Sequence, residues 1–453
     1  MQVPIPFGAY KRDAGFLPEL RMRNLLVEPT EADDEKVVLL PRPGLNVSTA
    51  LGAAPIAAVF CQPGVFSNQP VALAGSTAYL GTRVLGSLSA PATAATRFAA
   101  SSVEMVFCSG GVMYRTDGTT LSVPVPPTAS PIISVAAIDS YFFAVQQGSQ
   151  RFYFSAVANG SSWPALNFAS AQSHAGNLLE VMAINDQLVL LTQNSVEFWQ
   201  PSGDMNLPFV RIDGLTYTKG ILNTGAATYA DNTLIWVGSD GLVYRRGAVP
   251  TRLSDHGIEN QIGKSSAAYL FSFVWSGHTI LVLTLDTLTY FYDFETKLWS
   301  EASTLGRNGW RAKCGAANGI NPVFGDSVTG NLLSLNNSVL TDVGDGIERR
   351  FTALVPNQAV IDNMTLDAQG GVGTEPNGDP IIVEVSISRD GSQQFGPFVQ
   401  THLGRRGEYR QRAVWRRMGR YDMGAVMDFR TTDPSFFTFQ ALHVNEDLSG
   451  RAV

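Results

Sequence analysis

The chain is poor in charge, cysteine and histidine, and it has no long apolar run. Charged residues make up 16% of its 453 positions, against about 25% in an average globular chain. With 45% hydrophobic residues and a net charge of only −7, it has ample material for a core, and disorder is excluded as its dominant state. The mild acidity also argues against a protein that grips nucleic acid over its whole surface, since that grip comes from many Lys and Arg contacts to phosphate. Cys61, Cys108 and Cys314 are far apart and form no CxxC pair, so neither a structural zinc site nor a redox motif has a basis. They read as reduced, mostly buried thiols. The longest apolar stretch, residues 51–60, is too short to cross a bilayer. Residues 1–30 mix charges and hold no signal-peptide apolar region. The expectation is a protein made and folded in cytosol, in which the Asn-x-Ser/Thr triplets at Asn46, Asn159, Asn336 and Asn363 are chance.

Catalytic constellations are also missing. His174, His256, His278, His402 and His443 stand singly, with no HExxH or His-x-His spacing, and no GxSxG elbow presents a nucleophile. Gly257-Ile-Glu-Asn-Gln-Ile-Gly263-Lys264-Ser265 looks like a phosphate loop, but that motif needs four residues between its glycines and this one has five. No catalytic, cofactor or metal residue is therefore nominated. One hairpin, Ser388-Arg389-Asp390-Gly391 with Phe395 beyond it, resembles the Asp-box of sialidase-type propellers, where the Asp caps a turn. It occurs once. It leaves a sialidase-like or other glycan-hydrolysing propeller as the alternative function, which would need a carboxylate pair at the propeller mouth.

What the sequence does contain is a repeat. Gly 43 and Pro 24 suit a turn-dense chain. Val135-Ala-Ala-Ile, Asp139-Ser140, an apolar run, Gln147-Gly148-Ser149 and Arg151-Phe-Tyr-Phe154 are echoed by Val181-Met-Ala-Ile, Asn185-Asp186, Gln193-Asn194-Ser195 and Val196-Glu-Phe-Trp199. Further copies turn at Asp231-Asn232 and Gly277-His278, and weaker ones begin at Ile56, Phe98 and Gly315. Short runs rich in β-branched and aromatic residues, broken by Asp, Asn, Ser and Gly, are strands and hairpin turns. A period of about 40–45 residues is that of a β-propeller blade. The fold class is therefore all-β: a six- or seven-bladed propeller over 51–345, with an additional antiparallel β domain over 346–453 against which the N-terminal segment 1–50 packs. Tandem β-sandwiches are the alternative, and no helix of normal length is expected. In the C-terminal domain, strands are expected at 381–387, 410–417, 425–430 and 436–444, with a long loop at 369–380.

The most unequal charge lies in residues 401–430. Arg405, Arg406, Arg410, Arg412, Arg416, Arg417, Arg420 and Arg430 face only Glu408, Asp422 and Asp428, with Tyr409, Trp415 and Tyr421 interleaved. Arginine pairs bidentately with carboxylate or phosphate and stacks on aromatic rings. A solvated face, a subunit interface and a nucleic-acid contact are all open. Arginine without lysine, among aromatics, favours the interface. Strand alternation would send Arg410, Arg412 and Arg416 to one face and Gln411, Ala413, Trp415 and Arg417 to the other, with the acidic run 31–35 as a candidate partner.

Several segments together resemble the packaged-DNA stabilisation proteins, or tail hub (nozzle) proteins, of short-tailed bacteriophages. These are Val196-Glu197-Phe198-Trp199, Lys219-Gly220-Ile221 and the blade after it, the closing block Arg412-Ala-Val-Trp415-Arg-Arg-Met-Gly419-Arg420 with Asp433-Pro434, and Asn24-Leu-Leu-Val-Glu28 with Leu39-Leu-Pro-Arg-Pro-Gly44 near the start. Residues 71–130 match poorly. The resemblance implies a structural virion protein. It implies a homo-hexamer that extends the DNA channel below the portal and the adaptor ring, retains packaged double-stranded DNA without sequence-specific binding, and anchors tail spikes or fibres and a plug or needle. It implies no enzyme activity, no cofactor and no membrane segment, with the protein in the virion tail and, during assembly, in host cytoplasm. The interface candidates it points to are Arg405, Arg406, Arg410, Arg412, Trp415, Arg416, Arg417, Gly419, Arg420 and Lys219. Net acidity fits a conduit that must release a duplex quickly.

Overall fold

The structure, a computed structural model, describes residues 2–446 apart from 4–7, 11–19, 30–36, 205–206, 318–320, 370–378, 391–392, 423 and 436–437. The acidic run 31–35, most of the loop 369–380 and Gly391 of the Asp-box-like hairpin lie outside the described residues.

Two-residue turns set the repeat. Asp139-Ser140, Asn185-Asp186 and Asp231-Asn232 each place two successive residues at positive φ, between 46° and 64°. That geometry matches the right-handed twist of the strands it joins and selects Asn, Asp and Gly. The flanking pairs Ile138↔Tyr141, Ile184↔Gln187 and Ala230↔Thr233 close around them. In the next copy the turn is Ser276-Gly277, inside the pair Trp275↔His278, one residue before the expected Gly277-His278.

Among the described residues these hairpins build seven four-stranded blades. Their innermost strands are Ile56–Phe60, Arg97–Ala100, Ile132–Ile138, Leu178–Ile184, Ala227–Ala230, Tyr269–Trp275 and Ala312–Ala316. Buried side chains fill each seam. Phe107 and Tyr114 meet Leu73 and Leu80 between blades 1 and 2, Phe152 meets Trp199 between blades 3 and 4, and Phe273 and Phe291 meet Trp310 and Phe324 between blades 6 and 7. Ile56, Ala72 and Leu332 join blade 7 back to blade 1. The ring is closed. Its last blade takes its outermost strand, Gly44–Gly52, from the N-terminal side of the chain, paired with Gly330–Asn336. That strand straddles the expected border at residue 50.

The remaining strands form a two-sheet sandwich. One sheet runs Leu25–Pro29, Val37–Pro41, Phe439–Val444, Ala359–Ala368, Ala413–Tyr421, with Gln2–Val3 on Phe439–Val444. The other contains Arg349–Val355, Ala425–Thr431, Ile382–Ser388 and Val399–His402. Between them Phe351, Met364, Val385, Trp415, Phe429 and Leu442 are buried. Met22–Arg23 pairs with Arg350–Phe351 on one side and with Glu301 of blade 6 on the other, so blade 6 and the second sandwich sheet are one nine-stranded sheet. Backbone hydrogen bonds thereby fix the sandwich to the propeller.

The segment that looks like a phosphate loop lies in a short helix, His256–Gly263, which Asp255 caps, its carboxylate accepting from the Ile258 amide at 2.9 Å.

Candidate functional site

Two places bear on function: the axis of the propeller and the arginine-rich edge of the sandwich.

At the axis, Arg97 opens the innermost strand of blade 2 and Glu180 lies in the innermost strand of blade 4. Arg97 Nε donates to Glu180 Oε1 at 2.7 Å, and the Gly225 amide at the start of blade 5 donates to Glu180 Oε2 at 2.8 Å. The ion pair bypasses blade 3 and links the inner strands of blades 2 and 4 to the start of blade 5. Gly225 sits at φ +99°, and a Cβ there would meet Arg97 Nη2 at 2.1 Å and the Tyr269 ring at 2.8 Å. Asn223 and Thr224 add side-chain bonds to Ala268 and to the Leu179 carbonyl. The carboxylate the inner strands bring together is thus consumed by a structural pair. Among the described residues no group of His, Cys, Asp and Glu is arranged to hold a metal ion.

Glu197, from the Val-Glu-Phe-Trp segment, is buried and has no cation partner among the described residues. It accepts from the Ser173 amide and hydroxyl and, through Oε2, from Trp199 Nε1 at 3.0 Å. Its role is to tie a loop to blade 4. Asp390 likewise caps its turn, accepting from Ser388 Oγ at 2.7 Å and the Gln394 amide at 2.9 Å. This agrees with the architectural reading of that hairpin.

The sandwich edge separates the nominated arginines into groups. Arg430 is held internally, Nε on Glu384 at 2.6 Å and its guanidinium 3.6 Å from the Phe398 ring centre. Arg420 pairs with exposed Asp422. Arg405, Arg406, Arg410, Arg412, Arg416 and Arg417 make no ion pair among the described residues, and all but half-buried Arg412 are exposed. Several buried or part-buried arginines elsewhere are matched, Arg42 with Asp342, Arg311 with Asp326, Arg350 with Asp428, and Arg23 with Glu301 and Glu348, whereas buried Arg349 donates only to the Asp433 carbonyl among the described residues. Six free guanidinium groups therefore concentrate on one stretch of an acidic protein, with Tyr409 among them, 74% exposed.

The expected strand 410–417 is corrected to Ala413–Tyr421, and with it the assignment of faces. Arg410 and Arg412 precede the strand. Arg417 takes φ +58°, next to an irregularity opposite Ile361–Asn363, so Arg416 and Arg417 both point to solvent instead of alternating. Gly419 carries φ +104°, which an L side chain resists. Trp415 is 2% exposed, its Nε1 on the Val399 carbonyl at 2.9 Å and its ring edge-on to Phe429 at 5.6 Å. It anchors its own domain. Lys219 is separate from this edge, in the connection from blade 4 to blade 5, where its ammonium donates to Asp240 Oδ2 at 2.9 Å beside Tyr244. Those hydrogen bonds raise its pKa.

Sequence reasoning missed Arg389. It is exposed, lies 5.3 Å from the Tyr421 ring centre and has no carboxylate partner among the described residues. Nothing in a single sequence marks a cation as unpaired.

A closed seven-bladed propeller continued by backbone pairing into a β-sandwich, with arginines unpaired among the described residues gathered on the sandwich, defines an all-β scaffold with a charged edge. Family models agree along nearly the whole chain: the bacteriophage P22 Gp10 β-propeller matches residues 1–340 and the bacteriophage P22 Gp10 β-sandwich matches residues 348–447. The chain belongs to the bacteriophage P22 Gp10 family, structural and DNA-stabilising proteins of the phage tail. No curated protein matches it in sequence. Among solved structures, the designed protein Ika8 is similar at 15% identity and TM-score 0.40, over 70% of this chain and 99% of that one. The Cps50 (Swd1) propeller of Myceliophteria thermophila stands at 10% and 0.42, over 64% and 100%. An exo-β-1,3-galactanase from Phanerochaete chrysosporium stands at 7% and 0.31, over 77% and 95%. Likenesses this distant carry no argument about function. No helix among the described residues is long and apolar enough to cross a membrane.

Proposed function

We propose that the protein is the hub, or nozzle, of a short-tailed phage tail: a homo-hexameric ring below the portal and adaptor. It continues the DNA channel, helps retain packaged DNA, and anchors spikes or fibres and a plug. The observation that carries this reading is the run of Arg405, Arg406, Arg410, Arg412, Arg416 and Arg417, six arginines on one stretch that make no ion pair among the described residues. A desolvated guanidinium is stable only beside an anion, and a neighbouring subunit or adaptor surface supplies carboxylates in the right planar geometry. Arg405, Arg406, Arg410, Arg412, Arg416, Arg417 and Arg420 make that contact in this reading, while Trp415 and Gly419 hold their strand in shape. The duplex runs through the lumen of the hexameric ring in this reading.

The test is direct. Purified protein mixed with portal–adaptor complexes and imaged should add one six-fold ring per complex. A stable monomer that cleaves glycans, with turnover lost on a single Asp or Glu substitution in the propeller, would establish the glycan-hydrolase alternative instead.

A further inference from the structure

Arg349 opens the strand Arg349–Val355, which pairs with Met22–Arg23 where the sandwich joins the propeller, and it is 1% exposed. Its Nη1 donates to the Asp433 carbonyl at 2.8 Å, while Nε and Nη2 have no hydrogen-bond partner among the described residues. On a guanidinium those two atoms present parallel N–H groups along one edge, the fork that takes an anion bidentately. Elsewhere in this protein the same edge grips a carboxylate. Arg311 holds Asp326 through Nε and Nη2 at 2.9 and 2.8 Å, and Arg350 and Arg252 use the same two atoms on Asp428 and Glu259. In Arg349 the fork is buried with no acceptor from the described residues on it.

The acids beside it are committed. Asp342 accepts from both Nη groups of Arg42 and from the Thr304 hydroxyl. The Asp433 carboxylate accepts from the Ile382 amide. Burial and the nearness of Arg42 pull the Arg349 pKa down to about 10, so the group is still charged at neutral pH. Arg42, Arg349 and Asp342 are all buried, two cations to one carboxylate, and a buried cation without a counter-charge is strongly unfavourable.

We propose that the Nε–Nη2 edge of Arg349 binds one small monovalent anion of the halide class, which balances the charge at the junction of propeller and sandwich. The count of charges sets the valence, since a single negative charge is missing beside Arg42, Arg349 and Asp342. Two donors on so thoroughly covered a side chain suit a small spherical ion. Sulfate or phosphate brings four oxygens, which need more donors than this edge offers. A water molecule would accept the two hydrogen bonds and leave the charge uncompensated. The inference stands apart from the hub reading.

The experiment grows crystals of the full chain in bromide and collects anomalous diffraction, and in parallel follows thermal unfolding in chloride against gluconate at fixed ionic strength. The expected results are an anomalous peak on the Nε and Nη2 atoms of Arg349 and a midpoint that rises with chloride by about 2 °C or more. Arg349→Met, close in length but uncharged, should lose both. Arg349→Lys, with a point charge in place of the fork, should keep a weaker response. If Arg349→Met does not fold, the bromide peak in the parent chain decides. A water, a carboxylate of this chain, or no anomalous peak on that edge overturns the proposal, as does a chloride response of equal size in Arg349→Met.

Discussion

Arg42 and Asp342, 300 residues apart, form a buried bidentate pair, Nη1 to Oδ1 at 2.9 Å and Nη2 to Oδ2 at 2.6 Å. Arg42 is the elbow between a sandwich strand and the strand that closes blade 7, and its Nε donates to Asn24 Oδ1 at 2.8 Å. Thr304 also donates to Asp342. With every group matched, removing one member leaves the other charged and dry. Arg42→Ala should cost about 3–5 kcal/mol, read as a lower urea midpoint, and should loosen 44–52 from blade 7 in hydrogen exchange.

The axial pair predicts a backbone effect. Gly225→Ala would need both a disfavoured φ and space already filled by Arg97. It should destabilise by about 1–3 kcal/mol, the order expected of strain or of a broken buried pair. Glu180→Gln, which keeps the shape and weakens the charge, should cost less. Equal thermal midpoints for Gly225→Ala and the parent would remove the axial pair from the stability of the ring.

Thiol chemistry gives a third test. Burial pushes the Cys108 and Cys314 thiols up to about 12, so essentially no thiolate is present at pH 8. In native protein both should stay unlabelled by a thiol reagent over hours, and all three cysteines should react at once in denaturant. Rapid native labelling of Cys108 would mean that the seam between blades 2 and 3 opens.

Acid stability is the fourth. Burial raises the Asp326 carboxyl, but hydrogen bonds from Arg311, Thr329 and the Val328 amide outweigh it and hold the pKa below the usual value. A group depressed in the folded state stabilises above its unfolded pKa, about 4. That contribution disappears as pH falls through the folded value. Urea midpoints should therefore fall below pH 4, and Asp326→Asn should be weaker at pH 7 yet show a shallower acid slope.

The fifth concerns assembly. Arg416→Glu should weaken ring formation on the portal–adaptor complex while leaving the monomer's unfolding transition unchanged, since Arg416 is exposed and makes no ion pair among the described residues. If assembly is intact but duplex binding weakens with a shallower salt slope, the arginines face DNA instead.

The repeat was legible because its signals are local. Starts read at 56, 98, 135, 181, 226, 273 and 315 fall within four residues of the innermost strands, since apolar strands and left-handed Asn/Asp turns are written in neighbouring residues. The outermost strands were not, as with Leu121–Ser122 and Thr251–Arg252, which are short and largely solvated and so carry little apolar pattern. The arginine block was legible as an excess of charge, and its faces were not, because Arg417's left-handed backbone answers to the strand across from it.

By itself, then, the sequence determined an all-β repeat, a change of character after the blades, and a concentration of arginine in an acidic chain. Periodicity, turn chemistry and composition act over a few residues. Only the tertiary structure decided that seven blades close, that residues 44–52 seal the ring, and that Arg97 of blade 2 meets Glu180 of blade 4. It also decided that Arg416 and Arg417 both point to solvent. Each depends on which distant strands become neighbours, and that is settled by burying every blade face and matching every buried charge at once.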